Sequence, residues 1–237
     1  MVLPSADAAS VVNPPPARVL ARMLLDVREA VSPPRRARLA VLTFDDGPYP
    51  VTTPALLAQL RSLGVPADFF YIGDDAVAQP LIASRTAASG IEIGNHTLTH
   101  PQLGRLTFSN QLREIQGGAR AVSGVTRQPV IYFRPPHGDY DADTIRAAAQ
   151  AGQIVALWDI DPGDWRTLTP EQIVGAVEKQ ARAPAVILLH NGKSATIDAL
   201  PRIIADFRRA GFRFVTLSQL QNSLPLDEIN DPVRIKL

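Results

Sequence analysis

The chain has 237 residues, of which 24 are basic and 23 acidic, giving a formal net charge of +1. That balance excludes a large electrostatic footprint for nucleic acid or anionic lipid. With 46% hydrophobic and 20% charged residues it is neither a disordered nor a fibrous composition, and the length suits one domain of the larger kind, such as an α/β barrel. The absence of cysteine rules out disulfides, a thiolate nucleophile and a Cys-based zinc site. No apolar run of about 18 residues is present, so no membrane-spanning helix is expected.

Residues 1–16 read as a flexible leader rich in proline (Pro14, Pro15, Pro16), without a basic segment followed by an apolar one. Residues 17–31 have helical spacing and are expected to form an outer helix ended by Pro33 and Pro34. From Leu39 a regular alternation begins. Apolar runs at 39–44, 67–72, 91–94, 130–133, 154–160, 185–190 and about 212–217 are predicted strands buried on both faces. Helical segments lie between them. One opens at Thr53-Pro54 and stops at Gly64; Asp141 caps a second that ends near Gly152. Thr169-Pro170 opens a third, and Ser194 or Thr196 begins a fourth that ends near Gly211. Seven strands alternating with helices argue for a parallel sheet, closed as a barrel or left open. The expected division is 1–38 as leader and outer helix, 39–220 as the catalytic domain and 221–237 as a tail.

The polar residues with catalytic potential sit just past the predicted strands: Asp45, Asp46, His96, His100, Arg134, His137, Asp161, Asp164 and His190. In parallel α/β folds the loops at the carboxyl ends of the strands converge on one face, which is where active sites form. Asp45 and Asp46 stand in a strand-end turn and point different ways, so one can bind a cation while the other stays free as a base. As Asp-Gly-Pro they also fit an ordinary polar turn. His96 and His100, at i and i+4, are expected to share one face of a single turn, a spacing suited to zinc. With one carboxylate they make three ligands and an open position, the arrangement of a catalytic site. Arg134 can hold a neighbouring carboxylate. His190 ends an apolar run and is either a core histidine or a general acid, which Asp161 or Asp164 could tune. Of Trp158 and Trp165, one belongs to the core and the other can stack on a sugar ring.

Five segments, TFDDGP (43–48), HTLTH (96–100), RPPHG (134–138), DPGDW (161–165) and LLH (188–190), resemble in order the motifs of the polysaccharide deacetylases of carbohydrate esterase family 4, over roughly residues 39–220. The resemblance implies a distorted (β/α) barrel of about seven parallel strands in one domain. It implies one divalent ion, most often Zn2+, on Asp46, His96 and His100. Asp45 would be the base, steadied by Arg134, and His190 the acid, tuned by Asp164. Trp165, Leu188 and His137 would line the substrate site, with the His137 main-chain N–H facing the oxyanion. The implied reaction is hydrolytic deacetylation of N-acetylglucosamine units in a chitin- or peptidoglycan-like glycan. The alternatives are O-acetyl xylan esterase chemistry at the same site and a non-catalytic carbohydrate-binding relative. Neither a nucleic acid nor a membrane span is expected, and an extracytoplasmic location follows if an export signal has been removed. Two positions depart from the family pattern. His137 stands where an aromatic residue is usual, and Asn191 follows His190 where aspartate is frequent, which puts the histidine's support in question.

Overall fold

The computed structural model describes residues 38–223. The expected helix over 17–31 therefore lies outside the described residues. Strand β1 (Arg38–Asp45) is central and alternates strictly. Ala40, Leu42 and Phe44 pack toward the outer helices, while Leu39 and Val41 face the interior, so both faces are apolar and the strand reads as one continuous run. Around it, β2 (Asp68–Tyr71), β3 (Glu92–Asn95), β4 (Tyr132–Phe133), β5 (Ile154–Val155) and β6 (Ala185–His190) form the order β5-β4-β3-β2-β1-β6, and β7 (Phe212–Phe214) joins β1. All pairs are parallel. An isolated bridge between Ile160 and Ile187 ties the segment after β5 to β6. The sheet curls into a half-barrel, the distorted (β/α) barrel that the family resemblance implies and that the strand count by itself left undecided against an open sheet.

Helices α1 (Thr52–Leu63), α2 (Gly73–Ala78), α3 (Pro80–Ala88), α4 (Phe108–Thr126), α5 (Ala142–Gln150), α6 (Pro170–Gln180), α7 (Ser194–Arg209) and α8 (Leu217–Ser223) complete the described residues. Some start and stop signals operate as read, although α1 and α7 begin after Val51 and Lys193 without a side-chain cap. Gly64 ends α1 in the left-handed conformation, and Asp141 and Thr169 close capping boxes on α5 and α6. Four helices, α2, α3, α4 and α8, carried no signal that was used. Helix α4, the longest at 19 residues, starts at Thr107 without a side-chain cap and contains Gly117 and Gly118, which dilute its apolar stripe. Some strands are shorter than expected. The run 154–160 is a strand only at Ile154–Val155, and 212–217 gives way at Leu217 to α8, which runs past residue 220 and so across the expected tail boundary.

Leu217 and Leu220 of α8 plug the interior beside Val41, Phe70, Tyr132 and Val186. The start of α8 rests on carboxyl groups from the first residues of β2 and β3. Leu217 N–H donates to both Asp68 oxygens at 3.2 Å, and Ser218 donates to Glu92 through its N–H, at 3.2 Å, and its hydroxyl. Asp68 is only 1% exposed, and burial, then the neighbouring Glu92, pushes its carboxyl well above the ordinary value. A carboxyl whose folded pKa is raised contributes stability that is present below its unfolded pKa and lost as pH rises through the folded value. Asp68→Asn, neutral at every pH, is therefore expected to gain in melting temperature relative to the parent as pH is raised from about 4 to about 8. Thermal melts across that range check this; a difference independent of pH would contradict it.

Candidate active site

The interior face of β1 continues the alternation upward as Leu39, Val41, Thr43 and Asp45, so the period of a strand delivers Thr43 and Asp45 into the barrel mouth. Arg134, immediately after β4, fills the space between them and is fully buried. Its Nη1 donates to Asp45 Oδ1 at 2.7 Å and to Thr43 Oγ1 at 2.8 Å, its Nε to Ala156 O at 3.0 Å and its Nη2 to Leu157 O at 3.2 Å. The guanidinium lies over the Phe70 ring at 4.1 Å and over the Trp158 ring at 5.5 Å. Trp158 is thus the core tryptophan. A buried cation hydrogen-bonded through all three of its nitrogens is a rigid support. Burial raises the Asp45 carboxyl above its ordinary value, while Arg134 and His190 work against that rise.

Asp46 leaves the strand with φ 71 and Gly47 follows with φ 76, so two consecutive left-handed residues turn Asp46 away from Asp45. His96 follows β3. The segment to His100 is not the regular turn expected from the i, i+4 spacing, because Thr97 and His100 are left-handed at φ 70 and φ 61. The loop is pinned instead. Thr97 N–H donates to Asn95 Oδ1 at 3.0 Å and His100 N–H to Thr97 Oγ1 at 3.0 Å. Gly73 and Asp74 N–H at the start of α2 bond the Thr97 and Leu98 carbonyls, and Leu98 N–H bonds Glu114 O of α4. Gly118 of α4 is required at this contact, since a Cβ would overlap Asn95 Oδ1 and come within 2.6 Å of Thr97 O. The result brings the two imidazoles to 4.8 Å between ring centres, as the spacing suggested but by a different backbone path.

His96 Nδ1 lies 2.8 Å from Arg134 O. A carbonyl only accepts, so this nitrogen carries the proton and Nε2 keeps its lone pair. Burial lowers the His96 pKa to about 3, which keeps the ring neutral, and burial also lowers that of His100. The Nε2 atoms of His96 and His100 lie 3.8 Å and 3.4 Å from Asp46 Oδ1, a buried oxygen with no hydrogen-bond partner among the described residues. One donor atom from each of the three residues falls within 4.8 Å of the others. Two imidazole nitrogens, that of His96 bearing a lone pair, and a carboxylate oxygen converge without hydrogen-bonding one another, a donor set that a divalent cation satisfies. No fourth residue joins this group among the described residues. The His137 ring, on an exposed left-handed residue (φ 61), stands 4.7 Å from the His100 ring.

Across the mouth, His190 ends β6, with its Nδ1 2.7 Å from Asp164 Oδ1. Asp164 Oδ2 in turn accepts from His190 N–H at 2.8 Å and Thr196 Oγ1 at 2.6 Å. Burial disfavours the imidazolium, but the Asp164 hydrogen bond and the Asp164, Asp45 and Asp46 charges outweigh it and hold the His190 pKa above its ordinary value. Of the two aspartates weighed as partners of His190, only Asp164 reaches it. Asp161 bonds Gly163 N–H at 2.8 Å, and Gly163 adopts φ 73, so this glycine serves the turn. Leu188 is buried in β6, whereas Trp165 is 50% exposed, with the Arg166 guanidinium 4.6 Å over its ring. Thr43, Thr53, Thr196 and Asn191 also belong to the supporting shell. No spacing rule marks them, because each acts through a contact between elements distant in sequence.

A polysaccharide deacetylase family profile matches residues 32–156. The chain is 34% identical to a peptidoglycan-N-acetylglucosamine deacetylase of Bacillus cereus, over 79% of this chain and 90% of the relative. It is 35% identical to a chitooligosaccharide deacetylase of a Bradyrhizobium species, over 77% and 90%. The chain belongs to the polysaccharide deacetylase family. Among solved structures, the peptidoglycan deacetylase PdaC of Bacillus subtilis superimposes with a TM-score of 0.72 at 33% identity, over 79% of this chain and 91% of that one. Structures sharing the fold also include pseudoenzymes of the family. The profile match ends before the DPGDW and LLH segments, and the structure carries both to the same mouth as the other three. Family membership supports a hydrolase acting on N-acetylated sugars. No helix among the described residues is long and apolar enough to cross a membrane.

Proposed function

We propose that this chain hydrolyses the acetamide of N-acetylglucosamine units in a chitin- or peptidoglycan-like glycan, using one divalent ion, Zn2+, held by Asp46, His96 and His100. The observation that carries the reading is the meeting, at one end of one barrel, of three potential ligand atoms, a carboxylate held by Arg134 and a carboxylate-backed imidazole. Both relatives reported above are named as deacetylases of such glycans. The ion would supply Lewis-acid polarisation of the acetyl carbonyl and acidify water. Asp45, with Oδ1 fixed by Arg134, takes the proton as water attacks. The His137 main-chain N–H donates to the oxyanion. His190, with Asp164 behind it, gives the proton the leaving amine requires. Leu188 and Trp165 line the acetyl side of the cleft. A polymeric glycan of this kind would be met outside the cytoplasm, if an export signal has been removed.

The test is acetate release from chitooligosaccharides, peptidoglycan, acetylated xylan and a small acetyl ester, with chelator and then with zinc restored. Release from the N-acetylated glycans that chelator abolishes and zinc restores is expected. Release from xylan alone would instead favour ester chemistry at the same site, and release indifferent to chelator would overturn the metal assignment. No release from any substrate would leave the non-catalytic relative as the answer.

A further inference from the structure

We propose that Asn191 is a positioning residue that locks the Asp46–Gly47 turn and thereby sets both metal affinity and turnover; the proposal rests on the metal-dependent reading above. Asn191 follows His190 at the end of β6. Strand alternation sends the His190 side chain into the mouth and the next one to the opposite side, toward the start of α1. There Asn191 is fully buried, and its Oδ1 accepts from Thr53 Oγ1 at 2.9 Å. The same Thr53 oxygen accepts from Tyr49 N–H at 2.8 Å. A hydroxyl has one proton, so with the Tyr49 N–H on its lone pair that proton goes to Asn191, and the amide orientation is fixed. Asn191 N–H donates to Asp45 O at 2.9 Å, closing the ring from the other side.

The enclosed segment is Asp45 to Tyr49, which carries the proposed base and the carboxylate ligand. Asp46 is held left-handed at φ 71, a conformation that costs a non-glycine residue energy and persists only where the surroundings enforce it. The Asn191–Thr53–Tyr49 chain is that enforcement on the α1 side. Packing adds to it. A Cβ on Gly47 would lie 3.2 Å from Asn191 Nδ2, and one on Gly192 would lie 2.8 Å from the Tyr49 ring, so the two loops press together where only glycine fits. Asn191 Nδ2 makes no close hydrogen bond among the described residues, and the Tyr71 hydroxyl is the polar neighbour it faces. An aspartate could also accept from Thr53, but it would add a buried negative charge behind Asp45, Asp46 and Asp164. The residue after His190 therefore does not support that histidine, which Asp164 does; it supports the turn across the mouth.

Asn191→Ala, Thr53→Val and Thr53→Ser, with zinc affinity by calorimetry, kcat, KM and melting temperature, test the proposal. Asn191→Ala and Thr53→Val are each expected to weaken zinc binding by about tenfold or more, as loss of a group that orients a ligand does, and to lower kcat with KM little changed. Thr53→Ser, which keeps the hydroxyl, is expected to restore both. Variants that only melt earlier, with zinc affinity and kcat of the parent, would reduce Asn191 to a structural residue and overturn the proposal. So would Thr53→Ser behaving like Thr53→Val. If Asn191→Ala does not fold, the Thr53 pair decides. A parent that binds zinc but releases no acetate defeats the deacetylase reading while the zinc measurements still judge the latch. A parent that binds no zinc overturns both.

Discussion

Asp45→Asn is expected to lower turnover by about 10²–10⁴-fold, the usual contribution of a general base, while the protein keeps its zinc. The two aspartates differ in their other partners, although His96 Nε2 lies 3.7 Å from Asp45 Oδ2 as well as 3.8 Å from Asp46 Oδ1. Asp45 Oδ1 is bound to Arg134 at 2.7 Å, whereas Asp46 Oδ1 faces both imidazole Nε2 atoms and has no proton donor among the described residues. An asparagine at 45 can still accept from Arg134 through its oxygen, and Arg134 keeps Thr43 Oγ1 and two main-chain carbonyls. The fold is expected to survive with a lowered melting temperature, because a buried guanidinium that loses its counter-charge is destabilised. Asp46→Ala is expected to lose metal and activity together. Elemental analysis alongside kcat on a chitooligosaccharide separates these results. Loss of zinc from Asp45→Asn as complete as from Asp46→Ala would mean that the two roles are wrongly divided.

Replacing Asp164 by asparagine is expected to move the basic limb of the rate profile to lower pH, because a nearby opposite charge favours the imidazolium. In the proposed mechanism His190 works in its protonated form, so activity would fall as pH rises through its pKa. That pKa is now held above its ordinary value, against burial, by Asp164 first and then by Asp45 and Asp46. Removing the Asp164 charge lowers it, and the imidazolium is lost earlier on the way up. The same argument sets the substrate dependence of His190→Ala. An amine leaves only when protonated, while an activated aryl oxide leaves unaided, so amide hydrolysis should fall far more than hydrolysis of an activated ester. Profiles of kcat against pH for parent and Asp164→Asn, and paired amide and ester rates for His190→Ala, are the measurements. An unmoved basic limb, or equal losses on both substrates, would make His190 structural or substrate-positioning.

His137 illustrates a residue whose place is known and whose side chain is still open to trial. Its ring lies beside His100 and outside the three-ligand group, and it is exposed. His137→Phe keeps the main-chain N–H, so small-ester turnover is expected to persist within a few-fold. A change confined to longer oligomers would assign the imidazole to substrate contact.

Local rules carried a large part of this protein in its sequence. The seven apolar runs mark seven strands because a parallel strand buried on both faces must be apolar throughout, and AVILLH is a strand over its whole length. Gly64, Asp141 and Thr169 act within a few residues of themselves, so helix ends could be read from them. The positions of Asp45, Asp46, His96, His100, Arg134 and His190 at strand ends told which face would hold the chemistry. What tertiary structure decided is how those groups are oriented and charged. The pairing of His190 with Asp164 rather than Asp161, the left-handed path that replaces a regular turn between His96 and His100, and the burial of Arg134 between Phe70 and Trp158 depend on neighbours far away in the chain. Helix α4 is the clearest case. Its glycines weaken the apolar period that would announce it, and they are there because Gly118 must let the loop between His96 and His100 lie against the helix backbone. Periodicity records which face of an element is buried; hydrogen bonds and desolvation across the barrel mouth, which set ligand geometry and pKa, leave no periodic trace in sequence.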